Sequence, residues 1–176
     1  MTVPSFPVTL SAQPLSAETF APFGTLLAQP GSAPSLERGD ITFWNSTADL
    51  SGLAGSGVTG HLIAHRRPST LTQIERHRHT PEAFIALQGR SLFVAGPPGD
   101  PDPDRLRVFE IGAGQGVLLH PGAWHWAPYP LTETATFLLI LRAETSEHDI
   151  EIAVIPPHHL APPGTGDSGP SPPEPS

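Results

Sequence analysis

The segment IERHRHTPEAFIALQGR (residues 74–90) sets His77 and His79 one residue apart, between Glu75 and Glu82. In an extended chain, side chains alternate between faces, so Glu75, His77 and His79 share one face while Ile74, Arg76 and Arg78 share the other. Two imidazoles and a carboxylate suit solvent or a polar cavity better than a packed core. Arginines are the natural outward residues, which turns the histidine face inward. Such a face can hold a metal, pass protons, or be an ordinary strand that carries histidines. A second segment, GQGVLLHPGAWHW (114–126), places His120 and His125 on either side of a Pro–Gly turn. His120 is therefore a candidate for lining the same site. Trp124 and Trp126 flank His125, where either walling a cavity or packing in the core would suit an indole. His61, His65, His148, His158 and His159 read as strand, loop or tail residues without a chemical role.

The elements that must position these groups are short and extended. ITFWN, VTGHLIAH, LTQIERH, AFIAL, SLFVAG, RLRVFEI, GVLLH, TATFLLILR and IEIAVI are rich in β-branched and aromatic residues, with Gly, Pro and Asp between them. LSAETFAPFG predicts one short helix, capped by Ser16 and stopped by Pro22 and Gly24. Residues 30–40 and the proline-rich GPPGDPDPD (96–104) predict loops, the second linking two strands. Many short strands with almost no helix predict an all-β barrel or sandwich, with a ligand held in its mouth. One domain is expected over residues 1–155. From Pro156 to Ser176, Pro, Gly and Ser dominate, which predicts a disordered, inert tail.

Composition narrows the chemistry. The 176 residues are 38% hydrophobic and 15% charged, a soluble globular composition. The N-terminus lacks the basic and apolar segments of a secretory signal, and no apolar run reaches membrane-spanning length, so the cytoplasm is the expected location. A net charge of −8 argues against nucleic acid as a partner. The chain has no Cys, and all nine basic residues are Arg. Thiolate nucleophiles, zinc–thiolate sites and Schiff-base lysines are thereby excluded. His, Asp, Glu, Arg, Tyr and hydroxyls remain, with or without a metal.

The two histidine segments resemble the paired motifs of the cupin superfamily. His77, His79, Glu82 and Gly89 follow the first motif; Gly114, Pro121, Gly122 and His125 follow the second. The resemblance implies a cupin-type β-barrel (double-stranded β-helix or jelly roll) and places His77, His79, Glu82 and His125 at the usual metal-ligand positions. Such a set would suit Mn, Fe, Ni, Zn or another divalent ion, and no organic cofactor is implied. A metal-free cavity using the same groups for proton exchange is the alternative. The chain departs from the pattern in a shortened gap between His79 and Glu82, in His120 where the second motif has a proline, and in Tyr129 where it often closes with Asn.

Three longer segments are similar to the ureidoglycolate lyase (ureidoglycolate hydrolase) family: LSAETFAPFG, IERHRHTPEAFIALQGRSLFVAGPPG and GQGVLLHPGAWHWAPYPL. Their order and spacing run through most of residues 15–155. Ala86, Glu82 and the Trp126–Ala127 pair depart from the family's usual residues. The resemblance implies a homodimer that cleaves ureidoglycolate to glyoxylate and urea in allantoin breakdown. Glu82 or Glu75 would act as base and His125 or His77 as acid, with the roles reversible. Arg76, His120 and Trp124 are the candidates for holding substrate. Another metal-dependent cupin enzyme, an isomerase or dioxygenase on a small acid, is the alternative activity. A non-catalytic cupin that binds a small carboxylate is the alternative from another class.

Overall fold

The structure, a computed structural model, describes residues 7–53 and 55–164. The described residues form fourteen strands, two single-turn α-helices and two 3₁₀ turns. Seven strands form the first sheet: β1 (Val8–Gln13), β6 (Thr70–Arg76), β8 (Arg90–Gly96), β9 (Arg107–Gly112), β11 (Trp124–His125), β12 (Tyr129–Pro130) and β14 (Glu151–Ala161). Their order is β11-β6-β14-β1-β9-β8-β12, and β11 also pairs with β8, so six of them close into a ring. Closure removes the exposed edges that an open sheet would leave. The second sheet has the order β2-β10-β7-β13-β5, from β2 (Gly24–Leu27), β10 (Gly116–Leu119), β7 (Glu82–Gln88), β13 (Thr134–Arg142) and β5 (Gly57–His65). This is the all-β cupin-type barrel that the motifs imply.

The buried apolar residues form two cores, sorted by alternation most plainly along β8 and β9. Leu71, Ile74, Leu92, Val94, Val108, Trp124, Ile155 and Leu160 fill the ring. Phe93, Ala95, Phe109 and Ile111 point out of it, against Phe84, Val117, Leu119 and Phe137 of the second sheet. The helix α1 (Ala17–Phe20) closes one end of this second core. Ser16 Oγ accepts from the Thr19 N–H at 3.1 Å, and Thr19 Oγ1 accepts from the Ser16 N–H at 3.0 Å, a reciprocal cap. Phe20 and Phe23 then stack edge-on against Phe109 at 5.2 and 5.7 Å between centroids.

Two expectations about chain organisation need correction. Residues 30–40 are not loop throughout. Leu36–Arg38 is a strand, β3, pairing with β4 (Ile41–Phe43) across a turn at Gly39 and Asp40. This hairpin is exposed on both faces, so no buried alternation marks it in the sequence. The domain does not end at residue 155 either, because β14 continues to Ala161. It pairs with β1 through His158–Ala161 and with β6 on its other side. Pro156 and Pro157 are accommodated because the register of β14 against β6 shifts between Val154 and His158, and proline is tolerated where a bulge interrupts the ladder. The rest of the expected tail, from residue 165, lies outside the described residues. Among the described residues, no helix is long and apolar enough to cross a membrane.

Candidate functional site

The site forms where β6 ends, β7 begins and β11 crosses, in the gap between the ring and the second sheet. His125 pairs with Glu75 across β11 and β6, which puts both side chains on the face turned toward that gap. Glu82 opens β7 and sits opposite Leu119 of β10. His77 follows the last residue of β6. These segments are locked by the Pro–Gly turn of the second motif. Gly122 adopts φ +83°, a region that favours glycine, and its N–H donates to the His77 carbonyl at 2.6 Å.

His77, Glu82 and His125 converge. One ligand atom from each lies within 4.8 Å of the others, and the residues are 7%, 6% and 1% exposed. His77 Nε2 lies 3.0 Å from Glu82 Oε2, and His125 Nε2 lies 3.2 Å from the same oxygen. Glu75 Oε1 is 3.7 Å from His125 Nε2 and is the member of the group that reaches solvent. The two imidazole rings lie 5.1 Å apart between centroids, tilted at 59°, with Phe84 edge-on to His125 at 5.8 Å.

The hydrogen-bond partners fix the state of each ring. Nδ1 of His77 faces the Asp149 carbonyl at 2.6 Å, and Nδ1 of His125 faces the Ala123 carbonyl at 3.2 Å. A carbonyl only accepts, so each Nδ1 carries a hydrogen and each Nε2 points at Glu82. Burial alone would push His77 down; the hydrogen bond and charge of Glu82, the Asp149 carbonyl and Glu75 outweigh it and hold the ring above its ordinary value. Burial would likewise raise Glu82, but the approach of His125 and His77 brings it down to about 2. His125 Nε2 is off the line a hydrogen bond needs and has no other partner. A buried, unpartnered imidazole nitrogen beside a second imidazole and an ionised carboxylate is a donor set that fits a divalent ion.

The remaining sequence candidates fall elsewhere. His79 is exposed and does not join the cluster, because β6 stops at Arg76 and the alternation stops with it. Arg76 faces the ring interior: its Nε and Nη2 donate to Glu151 at 3.1 and 3.0 Å, its Nη1 donates to Gly99, and its guanidinium covers Trp124 at 4.4 Å. Trp124 is on the opposite face of β11 from His125, packed in the ring core with its Nε1 donating to Gly99. His120 is exposed and lines a separate cleft with Asp49, Ser51 and Pro81. A larger cleft, about 340 Å³, lies between α1 and Arg105 and Arg107, and shares no residue with the cluster. Sequence reading missed Asp149, which contacts residues 77–80 from the far side of the chain. An Asp after a helical turn is a local turn signal and gives no hint of that distant partner.

A cupin-type barrel with two histidines and one carboxylate gathered in its interior defines a small β-barrel protein with a candidate metal or proton-transfer centre. The family model described as ureidoglycolate lyase matches residues 7–161, and the chain belongs to that family. It is 35% identical over 141 residues to the ureidoglycolate lyase of Azotobacter vinelandii, covering 76% of this chain and 85% of that one. It is 30% identical over 165 residues to that of Pseudomonas syringae pv. syringae, covering 86% and 97%. Among solved structures, RmlC from Streptococcus suis in complex with dTDP-D-xylose overlaps with a TM-score of 0.42 at 8% identity, over 51% of this chain and 45% of that one.

Proposed function

We propose that this chain cleaves ureidoglycolate to glyoxylate and urea. The observation that carries this reading is the convergence of His77, Glu82 and His125, from two distant segments, in a chain of the lyase family. Ureidoglycolate is a carbinol adduct: one carbon bears a hydroxyl, a carboxylate and the urea nitrogen. A base removes the hydroxyl proton, the O–H electron pair becomes the C=O bond of glyoxylate, and the C–N pair leaves with nitrogen. An acid then returns a proton to that nitrogen, releasing urea.

The electrostatics divide these roles. Glu82, held near 2, is too weak a base to take a hydroxyl proton and instead anchors the two rings. His77, whose pKa lies above its ordinary value, is the proton donor to the departing nitrogen. The lone pair of His125 Nε2 is the acceptor of the hydroxyl proton, and Glu75 stands behind it toward solvent. No covalent intermediate is required, in keeping with a chain that lacks Cys and Lys. With its guanidinium bound to Glu151 and Gly99, Arg76 serves the fold in this reading rather than holding the substrate carboxylate.

In the metal-assisted form of the reading, His77, Glu82 and His125 hold a divalent cation, and both rings coordinate as neutral imidazoles. When bound, the ion supplies Lewis acidity that stabilises the alkoxide and carboxylate oxygens.

A homodimer working in the cytoplasm completes the proposal. Ile63, Ile85, Leu138 and Ile140 lie on the outer face of the second sheet, with Ile63 half exposed, and a flat apolar face of this kind pairs well with its own copy about a two-fold axis. Light scattering should return twice the chain mass. The activity is tested by following glyoxylate release from ureidoglycolate with purified protein; a rate no faster than spontaneous decay would remove the lyase reading.

A further inference from the structure

The hydrogen bonds of Asp149 go not to Glu82 or His125 but to the loop that presents His77. Its carbonyl accepts from His77 Nδ1 at 2.6 Å. Its Oδ1 accepts from the Arg78 N–H at 2.8 Å, and its Oδ2 accepts from the His79 N–H at 3.0 Å and the Thr80 hydroxyl at 2.9 Å. The side chain is buried. The Asp149 N–H donates to the Thr145 carbonyl, and the Thr145 hydroxyl lies 3.3 Å from that of Thr80, so the helical turn α2 (Thr145–His148) fixes both ends of the clamp.

The need for such a clamp follows from the topology. The ladder of β6 ends at Arg76 and β7 does not begin until Glu82. Residues 77–81 therefore lack strand partners, and the N–H groups of residues 77–80 must find acceptors elsewhere. A buried carboxylate with two oxygens meets three donors at once. The carbonyl of the same residue decides which nitrogen of His77 carries hydrogen. Two residues on, Glu151 binds the side chains of Arg76 and Arg78, which braces the loop from outside but does not touch the ring.

We propose that Asp149 is a positioning residue for the lyase reaction: by clamping residues 78–80 and orienting the His77 ring, it aims Nε2 at Glu82 and at the point where His125 also converges. The proposal rests on the lyase reading for its kinetic consequence, but its structural consequence is measurable without substrate.

The test compares the full-length chain with Asp149→Asn and Asp149→Ala. It uses kcat and KM for ureidoglycolate, ¹⁵N resonances of the His77 ring, calorimetric binding of Zn²⁺ to metal-free protein, and circular dichroism for folding. For Asp149→Ala, kcat should fall about 10- to 100-fold with KM within about threefold, and Zn²⁺ binding should weaken by a similar factor. The His77 ring signals should shift and broaden, because the loop that holds the ring against the residue 149 carbonyl loses its side-chain clamp. Asp149→Asn, which keeps one acceptor oxygen, should be intermediate. If Asp149→Ala does not fold, Asp149→Asn decides. A folded variant with lowered stability but parental kcat and parental His77 signals would overturn the proposal, because Asp149 would then serve the fold alone. If the parent chain itself shows no turnover, the lyase reading fails, and the ring signals still decide the role of Asp149.

Discussion

His125 Nε2 lies 3.2 Å from Glu82 Oε2 without forming a hydrogen bond, while Nδ1 of the same ring is turned to the Ala123 carbonyl. With Nδ1 turned to that carbonyl, the ring carries a hydrogen there and directs Nε2, with its lone pair when that nitrogen is unprotonated, to the centre of the cluster. That lone pair is what both proton abstraction and metal ligation require. Replacing His125 by Ala should lower kcat by about 10²- to 10⁴-fold, the usual contribution of a proton-transfer group. Circular dichroism should stay that of the parent. A folded variant with near-parental turnover would place the chemistry elsewhere.

Glu82 is the hub on which both rings depend. Glu82→Gln keeps the shape but removes the charge that offsets the burial of His77. The His77 pKa should therefore fall, as measured by NMR titration of the ring protons. Turnover should drop together with it. A His77 pKa unchanged in Glu82→Gln would mean that the charge of Glu82 is not what stabilises the imidazolium.

The same pair sets a pH window for stability in metal-free protein. Glu82 is depressed from 4.5 to about 2, so its contribution is present above 4.5 and lost as pH falls toward 2. His77 is raised from 6.5, so its contribution is complete below 6.5 and lost as pH climbs through the higher folded value. Asp149 is lowered from 3.8, with burial opposing and the N–H groups of His79 and Arg78 and the Thr80 hydroxyl prevailing, so it acts in the same direction as Glu82. Melting temperature should therefore peak between about pH 4.5 and 6.5 and decline on both sides. In Glu82→Gln the decline on the alkaline side should flatten. A parent curve that rises steadily from pH 6.5 to 9 would contradict the pairing.

Metal ligation demands the opposite proton state of His77, so its pH dependence is opposite too. Dialysis against a chelator should lower turnover, and added Mn²⁺, Ni²⁺ or Zn²⁺ should restore it, more effectively at pH 8 than at pH 6. Elemental analysis of the dialysed sample verifies that it is metal-free. Unchanged turnover in such a sample would leave acid–base chemistry by the side chains alone.

How much of this was legible in the sequence depended on where strand geometry held. Alternation put Glu75 and His77 on one face and Arg76 on the other because β6 runs unbroken to Arg76. The same rule failed at His79, three residues beyond Arg76, the last ladder residue. Trp124 and His125 are adjacent in a strand, so alternation alone would have sent them to opposite faces; reading them as neighbours around one cavity set that rule aside. The spacing of Gly89, Glu82, Gly122 and His125 was readable because turns and ligand positions are local. The clamp by Asp149 and the brace by Glu151 were not, since each joins residues about 70 positions apart. The prolines at 156 and 157 pointed to disorder, but a bulge gave them a place inside a strand.

Gly122 offers a last test of how the two motifs are held together. Its N–H reaches the His77 carbonyl at 2.6 Å only because the residue adopts φ +83°. A Cβ at this position would meet the Cβ of Pro98 at 3.5 Å, an ordinary contact, so space is not the obstacle. The conformation is: an L-residue there costs about 1–2 kcal/mol, which corresponds to a drop of roughly 2–8 °C in melting temperature for a chain of this size. Gly114→Ala is the matched control, with φ +86° and open space around its would-be Cβ. Both variants should lose similar stability. Only Gly122→Ala should also lower kcat, because only that turn ties the His77 backbone to the strand bearing His125. Equal kcat in the two variants would mean that the hydrogen bond from Gly122 holds the fold without setting the distance between the rings.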